Sequence, residues 1–569
     1  MKILIIQILR LGDALQLTPV ARSLKILYPE AQISILTSSL GKEIFSRQKF
    51  VDEIFIIRKE EIKELSKKSQ QQSINTAFEY LQNDLLPVLS QKWDWVINLS
   101  FSVPSAILAF LAHGKRNSGF YATENREYIS RDKWFFYTLS SFPNRKYSLF
   151  NWVDINSNIV KAHNVPKFLN FPVHTDESSW VNNILNGFLA NGEELIGFHP
   201  GASGPHKMWP IENFISLAQS LIASGKKIVI FGDKSEQELG DKIKDANGNK
   251  VMNLTGQTTL GQAAALMSRC SLIVCNDSGP MHLASAVGTP VLALFFSTHF
   301  VETGPYGENN LILHPILDCF PCLGTASCIH KKCLEFIPVE AVSHVINSRY
   351  NILLNPVNPS PSFPQNVAVN RSRFDEEGFL EWLPAITRPI DLDTLIRIIL
   401  KLSFIPCLRE RDMDSEDRIR YARQILNYFS WTLDESGVIT SLKSLIPLLR
   451  DLKSLIIELL DICTELYNDS YDFKKNLDSI TRLGTELQAK EDSIVNHTSQ
   501  YLDIIIKYIE MARNNITERD FQSLAAQNIK VYSNAADLLD RIKDNIYLVS
   551  RIATERTVFH EAELIRSKK

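Results

Sequence analysis

Over its first 350 or so residues the chain alternates short aliphatic runs with amphipathic stretches of helix length, and this rhythm constrains the fold more than any other feature. Such alternation reads as βα units. Parallel strands need a crossover between them, so it implies a mainly parallel sheet. Strands are predicted at Ile3–Ile8, Gln32–Thr37, Glu53–Ile57, Trp95–Leu99, Leu195–Phe198, Lys227–Phe231, Leu272–Cys275 and Val291–Phe295. Helices are predicted at Ala14–Leu27, Val103–Ala112, Ile211–Ala223, Ser235–Lys244, Leu260–Arg269 and Met281–Val287, each opening near a turn or capping residue. A helical-looking segment, Ser148–Ala162, and the mixed stretch up to Asn191 divide the strands into two α/β halves with a hinge between them.

Beyond these halves the character changes. The segment Asn355–Asn366 carries four prolines, which lack backbone donors and favour extended structure, so it reads as a linker. From Ile390 onward the pattern turns helical. Leu442, Leu445, Leu449, Leu452, Ile456, Leu459, Cys463 and Leu466 recur at spacings of three and four, an apolar helix stripe suited to a bundle core. Further helices are expected at Phe473–Gln488, Ile494–Asn514, Asp520–Ile542 and Asp544–Arg566. The expected domains are therefore residues 1–175 and 176–350 (two Rossmann-like halves), a Pro-rich linker at 351–389 and an all-α helical bundle at 390–569.

With 61 Lys+Arg against 64 Asp+Glu, the formal charge of −3 offers no broad basic field for nucleic acid. The best membrane candidate, Leu445–Cys463, is interrupted by Arg450, Asp451, Lys453, Glu458 and Asp461, so no spanning segment is expected. The opening MKILIIQILR has too short an apolar core for a signal peptide and reads as the first strand. Eight cysteines in 569 residues are too few for a disulfide scaffold, and a reducing cytoplasm fits best, with peripheral placement at the inner membrane face if the acceptor is lipid-linked.

Three strand-to-helix loops carry the chemistry. In the first, Leu11-Gly12-Asp13-Ala14, Asp13 sits at a strand's carboxyl end, either as a helix N-cap or as a general base for an acceptor hydroxyl. The second, FHPGASGPHKMWP from Phe198 to Pro210, combines small residues at Gly201–Gly204 with the cation Lys207, a pattern suited to phosphate but lacking P-loop spacing. The third, Cys275-Asn276-Asp277-Ser278-Gly279-Pro280-Met281-His282, places Ser-Gly and Pro280 at a helix start, where a diphosphate is favoured by the dipole. No G-x-S-x-G turn supports a hydrolase triad.

Together, in this order, LGDALQLTPV, HPGASGPHKMWP and NDSGPMHLASAVGTPVLALF resemble glycosyltransferase family 9, the heptosyltransferases of the lipopolysaccharide inner core. The resemblance covers about residues 1–350 and implies the GT-B fold, two Rossmann-like domains with the nucleotide-sugar mainly on the second. It implies Asp13 as catalytic base for inverting transfer, and Lys207 neutralising the donor diphosphate with Ser203 beside it. It also implies Gly12, Asp277, Ser278, Gly279 and His282 around the donor, and Glu236 on the donor ribose, with Glu238 close enough to compete. No divalent metal is implied for transfer.

Cys319, Cys322, Cys328 and Cys333 form C-x2-C-x5-C-x4-C, whose spacing suits either a tetrahedral thiolate site or four reduced cysteines in a packed loop. Similar groups in the autotransporter-modifying members of the resembled family hold structural iron, so iron or zinc is the implied ion. The reading is thus an inverting glycosyltransferase moving a sugar, foremost heptose from ADP-heptose, to a hydroxyl of lipopolysaccharide core or a related glycan. The alternatives are a protein O-heptosyltransferase of the autotransporter-modifying type and a non-catalytic scaffold. The helical domain is the expected seat of any protein partner or self-association.

Overall fold

A computed structural model describes residues 1–68, 71–123, 128–129, 132–162, 167–190, 192–322, 328, 331–429, 435–469, 482–483, 485–486, 489, 502–514 and 521–567. The chain divides into an α/β unit, Met1–Ser130 with Phe150–Ile386, and a helical unit, Arg131–Leu149 with Thr387–Lys569.

The α/β unit contains two sheets. The first joins β1 (Lys2–Gln7), β2 (Gln32–Thr37), β3 (Glu53–Ile56), β4 (Trp95–Asn98) and β5 (Arg116–Gly119) in the order β3-β2-β1-β4-β5, all parallel. Its central strand KILIIQ is aliphatic on both faces because helices cover both, and Ile3 to Ile6 are wholly buried. A short hairpin pairs β6 (Tyr121–Ala122) with β7 (Tyr128–Ile129).

The second sheet contains β8 (Leu195–His199), β9 (Lys227–Ile230), β10 (Val251–Asn253), β11 (Leu272–Asn276), β12 (Val291–Leu294), β13 (Leu311–Pro315), β14 (Val367–Phe374) and β15 (Leu380–Pro384). Its order is β10-β9-β8-β11-β12-β13-β14-β15, with β14 antiparallel to both neighbours. In each sheet the strand order reverses beside the first strand, β1 or β8, opening a crevice at the strands' carboxyl ends where open α/β sheets take ligands. This is the GT-B architecture, two Rossmann-like bodies in one chain.

The stretch expected to be a linker at 351–389 instead extends this sheet. The four prolines of Asn355–Asn366 precede β14, whose first six residues are buried against β13, and Gly378 at φ +77° makes the turn into β15. The prolines mark the approach to an edge hairpin; they do not mark a domain boundary.

The connection between the sheets is anchored to both. Asn151 donates to the carbonyls of Val301 and Gly304 (both 3.3 Å), and buried Asp154 accepts from Tyr306 Oη and Leu380 N (both 2.8 Å). Farther along, Asn170 N donates to Thr18 Oγ1 (3.0 Å), and Arg47 forms a bidentate pair with Glu177 (2.6 and 2.9 Å).

The predicted helix Ala14–Leu27 is two helices, Leu11–Gln16 and Thr18–Leu27, because Pro19 opens the second and has no N–H to continue the first.

Residues 131–149, expected within the first Rossmann half, belong to the helical unit. Their helix Lys133–Ser141 buries Trp134, Phe135 and Tyr137, with Tyr137 edge-on to Phe404 at 5.7 Å, while Tyr147 Oη donates to Asp393 (2.7 Å). An aromatic run of this kind buries against whichever apolar surface tertiary structure brings near it. The stripe from Leu442 to Leu466 is buried at all eight positions, and its helix Leu445–Asp469 lies along Phe521–Ser567, with Lys453 paired to Asp540 at 2.5 Å. The latter is one helix where two were expected. Most of the stretches 473–488 and 494–502 lies outside the described residues. Among the described residues, no helix is long and apolar enough to cross a membrane.

Candidate active site

A cleft of about 570 Å³ in the α/β unit is lined by loops from the carboxyl ends of β1, β8, β9 and β11. Asp13, Gly12, Ser203, Lys207, Glu236, Asp277, Ser278, Gly279 and His282 all line it, so the structure brings the expected base and the expected donor-binding residues to one place. Glu238 does not line it and points instead to Lys242 at 2.7 Å on the exposed face of its helix.

On the first-sheet side, the carboxyl ends of β1 and β4 are cross-linked. Ile8 N donates to Ser100 Oγ (2.8 Å), and Ser100 Oγ donates to Gln7 Oε1 (2.7 Å). The next turn starts the helix that carries Asp13, and Asp13 Oδ2 accepts from Arg10 N (3.0 Å). Asp13 is therefore a capping carboxylate and a cleft residue at once. Burial in the cleft raises its pKa above the ordinary 3.8, against the lowering influence of the Arg10 N–H and the charges of Arg10 and Lys59. A carboxylate so raised is a better proton acceptor than one in water.

On the second-sheet side, the 198–210 loop is tied to β11. Asn276 Nδ2 donates to Pro200 O (2.7 Å), its Oδ1 accepts from Trp209 N (3.0 Å), and the buried Trp209 indole donates to Ile337 O (2.9 Å). This lacing delivers Lys207, whose Nζ lies 2.5 Å from Asp277 Oδ2, and the same oxygen accepts from Thr298 Oγ1. Lys207 is thus a paired cation. Ser278 is the residue before the helix Gly279–Ala286, with no side-chain bond to that helix among the described residues, and it and Gly279 place the helix N-terminus at the cleft.

His282 lies behind, buried, its pKa held down at about 4 by burial, with Lys207 adding to the effect and Asp277 opposing it. It is neutral at pH 7, and its Nδ1 has no hydrogen-bond partner among the described residues. The two halves meet here: a Cβ on Gly12 would lie 2.7 Å from His282 Cδ2, so only glycine permits this approach.

Glu236 closes the cleft. Its carboxylate accepts from Asp233 N (2.9 Å) and lies 3.3 Å from His199 Nε2. Burial alone would raise its pKa, but the His199 contact and the Asp233 N–H outweigh it and hold Glu236 below the ordinary 4.5. A Cβ on Gly201 would fall 1.6 Å from Glu236 Oε1, so this glycine gives the carboxylate its seat.

Sequence reasoning missed His199, Trp152, Thr258, Thr259 and Thr298. His199 carried a signal, a polar residue ending the otherwise aliphatic, wholly buried β8; the others carried none. Of the four clustered cysteines, Cys333 is buried, with its pKa pushed up to about 11 by burial and by the neighbouring Cys322, Cys328 and Cys319. The thiols gather, but among the described residues no three potential ligands close into a metal-binding group.

The sequence model of glycosyltransferase family 9 (heptosyltransferase) matches residues 87–333, a span that contains the second and third loops and the whole run from β8 to β13. Over that span the chain is similar to the family 9 glycosyltransferases. The chain is 29% identical to lipooligosaccharide heptosyltransferase 2 of Haemophilus influenzae over 330 residues, 56% of this chain and 89% of that one. It is 28% identical to lipopolysaccharide heptosyltransferase 2 of Salmonella typhimurium over 367 residues, 61% of this chain and 97% of the other. Among solved structures, a family 9 glycosyltransferase from Veillonella parvula superimposes with a TM-score of 0.49 at 22% identity, over 62% of this chain and 97% of its own. The matched span lies in the α/β unit apart from residues 131–149, and residues 387–569 of the helical unit lie outside it.

Proposed function

We propose that this glycosyltransferase moves heptose from ADP-heptose to a hydroxyl of the lipopolysaccharide core, with inversion at the transferred carbon. The observation that carries the reading is that Asp13 and the Lys207–Asp277 pair line one cleft at the switch points of the two sheets. The heptosyltransferase names of the H. influenzae and S. typhimurium relatives support the sugar and the acceptor class.

In this reading the diphosphate lies against the N-terminus of Gly279–Ala286 and Lys207, with Ser203 and Ser278 as hydroxyl donors and Glu236 on the ribose. The acceptor oxygen attacks the anomeric carbon as the bond from that carbon to the diphosphate oxygen breaks. Asp13 takes the acceptor proton, and the leaving electron pair stays on the diphosphate, where Lys207 and the helix N-terminus stabilise it. A single displacement inverts the configuration, and neutral His282 adds no charge beside the sugar.

The donor set at Cys319, Cys322, Cys328 and Cys333 is chemically suited to one thiophilic ion, iron or zinc, in a structural role with no part in transfer. Metal analysis of anaerobically purified protein tests this; less than about half an equivalent counts against it.

The deciding experiment incubates the protein with ADP-heptose and heptose-free core oligosaccharide, and reads product mass and anomeric configuration. Heptose transfer with inversion is the expected result. Transfer with retention would remove the single-displacement mechanism, and no transfer by protein that binds ADP-heptose would remove the core acceptor.

A further inference from the structure

His199 ends β8 and is 3% exposed, yet both its ring nitrogens face cleft residues from two other loops. Nε2 lies 3.3 Å from Glu236 Oε2, on the turn after β9, and Nδ1 lies 3.2 Å from Ser278 Oγ, on the turn after β11. A carboxylate can only accept, so the Glu236 contact places a proton on Nε2 and leaves Nδ1 an acceptor for the Ser278 hydroxyl, whose single proton Asn276 O, also at 3.2 Å, competes for. β8 lies between β9 and β11, so a side chain at its end is equidistant from both loops, and register pairs His199 with Cys275. The turn residues leave no slack: Gly201 and Gly232 both crowd Glu236, with Cβ positions 1.6 Å and 2.9 Å from its oxygens.

We propose that His199 is a positioning residue for the nucleotide, locking the Glu236 carboxylate and the Ser278 hydroxyl into one rigid unit so that ribose and diphosphate are recognised together. This rests on the reading of Glu236 as the ribose contact. A buried imidazole is costly unless both nitrogens are used, and here both are used on groups that face the ligand. Without it, Glu236 keeps among the described residues only the Asp233 N–H and is free to turn away from the hydroxyls it holds.

The test is calorimetric binding of ADP, 2′-deoxy-ADP and 3′-deoxy-ADP to the full chain and to His199→Gln, His199→Asn, His199→Ala and Glu236→Gln, with melting temperature as the folding control. Glutamine places an N–H near Nε2, whereas asparagine places its amide near Nδ1. Wild type is expected to prefer ADP by about tenfold over the deoxy nucleotide lacking the bound hydroxyl. His199→Gln should stay within about threefold of wild type, while His199→Asn and His199→Ala lose about tenfold in ADP affinity and keep about twofold preference. Undiminished preference in His199→Ala, or an equal loss for all three nucleotides in every His199 variant, would overturn the positioning role. Wild type that binds ADP without preference, or Glu236→Gln that keeps the preference, would instead sink the ribose reading and this inference with it. Failure of wild type to bind ADP would remove the donor assignment beneath both.

Discussion

The ammonium of Lys207 sits 2.5 Å from the carboxylate of Asp277, joining the loop after β8 to the loop after β11 across 70 residues of sequence. The site cation is therefore held by a partner before any ligand arrives. Both side chains are mostly buried, so their attraction is little screened, and each would be costly alone. The pair sets where a diphosphate can share the lysine, and Thr298 fixes the carboxylate from the other side.

Lys207→Met should leave Asp277 buried without its cation. We expect a loss of about 2–3 kcal/mol in unfolding free energy, with the Lys207→Met/Asp277→Asn double variant recovering at least half of it. ADP affinity should fall about tenfold or more in both and not recover, because the cation is gone in each. Calorimetry and urea unfolding read the two effects separately, and unchanged ADP affinity would remove Lys207 from the phosphate site.

Asp13→Asn should abolish turnover, by a factor of about a thousand, while ADP-heptose binding stays near wild type. The sign of its stability effect is also fixed. Burial raises the folded-state pKa of Asp13, so the native state loses stability as pH rises from the unfolded value of 3.8 through the folded one, and carries that penalty at pH 7. Asparagine can keep the cap on Arg10 without the charge, so Asp13→Asn should melt higher at pH 7 than wild type and lose that advantage at pH 3. The same raised pKa places the acid limb of kcat/KM above pH 3.8, which a pH-rate profile measures.

Gly201→Ala adds one methyl at a site where Cβ would overlap Glu236 Oε1. The carboxylate must move, so ADP affinity should drop about tenfold with little change in melting temperature. Gly225→Ala, with its Cβ in open space but φ at +83°, is the contrasting control: it should lose about 1 kcal/mol in stability and no affinity.

Arg47 and Glu177 hold the connection between the sheets onto the first one, and Gly261 leaves them room. Burial would raise the Glu177 pKa, but Arg47 and the His174 N–H outweigh it and hold it below 4.5. The stability from this ion pair is present above that value and fades as pH falls through the depressed folded pKa. Arg47→Ala should cost about 3 kcal/mol at pH 7, and the fall in stability below pH 4.5 should be shallower than in wild type. Unfolding curves at several pH values check both.

The sequence alone determined the parallel-sheet body, because strands such as KILIIQ and LIVCN, apolar on both faces, have no stable place except under two layers of helices. It also determined the loops that line the cleft, since glycines and prolines beside Asp13, Lys207 and Asp277 sit directly after such strands and leave those side chains at the strands' carboxyl ends. Local pattern could not decide which distant groups those residues would meet. The Lys207–Asp277 pair, His199 between Glu236 and Ser278, and Gly12 against His282 depend on strand order, which sets neighbours across 37 to 270 residues of chain. The same holds for Lys133–Ser141, whose aromatic face packs in the helical unit, with Tyr137 against Phe404, and for β14, whose exit from the prolines becomes a strand only because β13 offers it an edge. Hydrophobic period and turn chemistry are written within a few residues; charge pairing and edge pairing are properties of surfaces that exist only once the chain has folded.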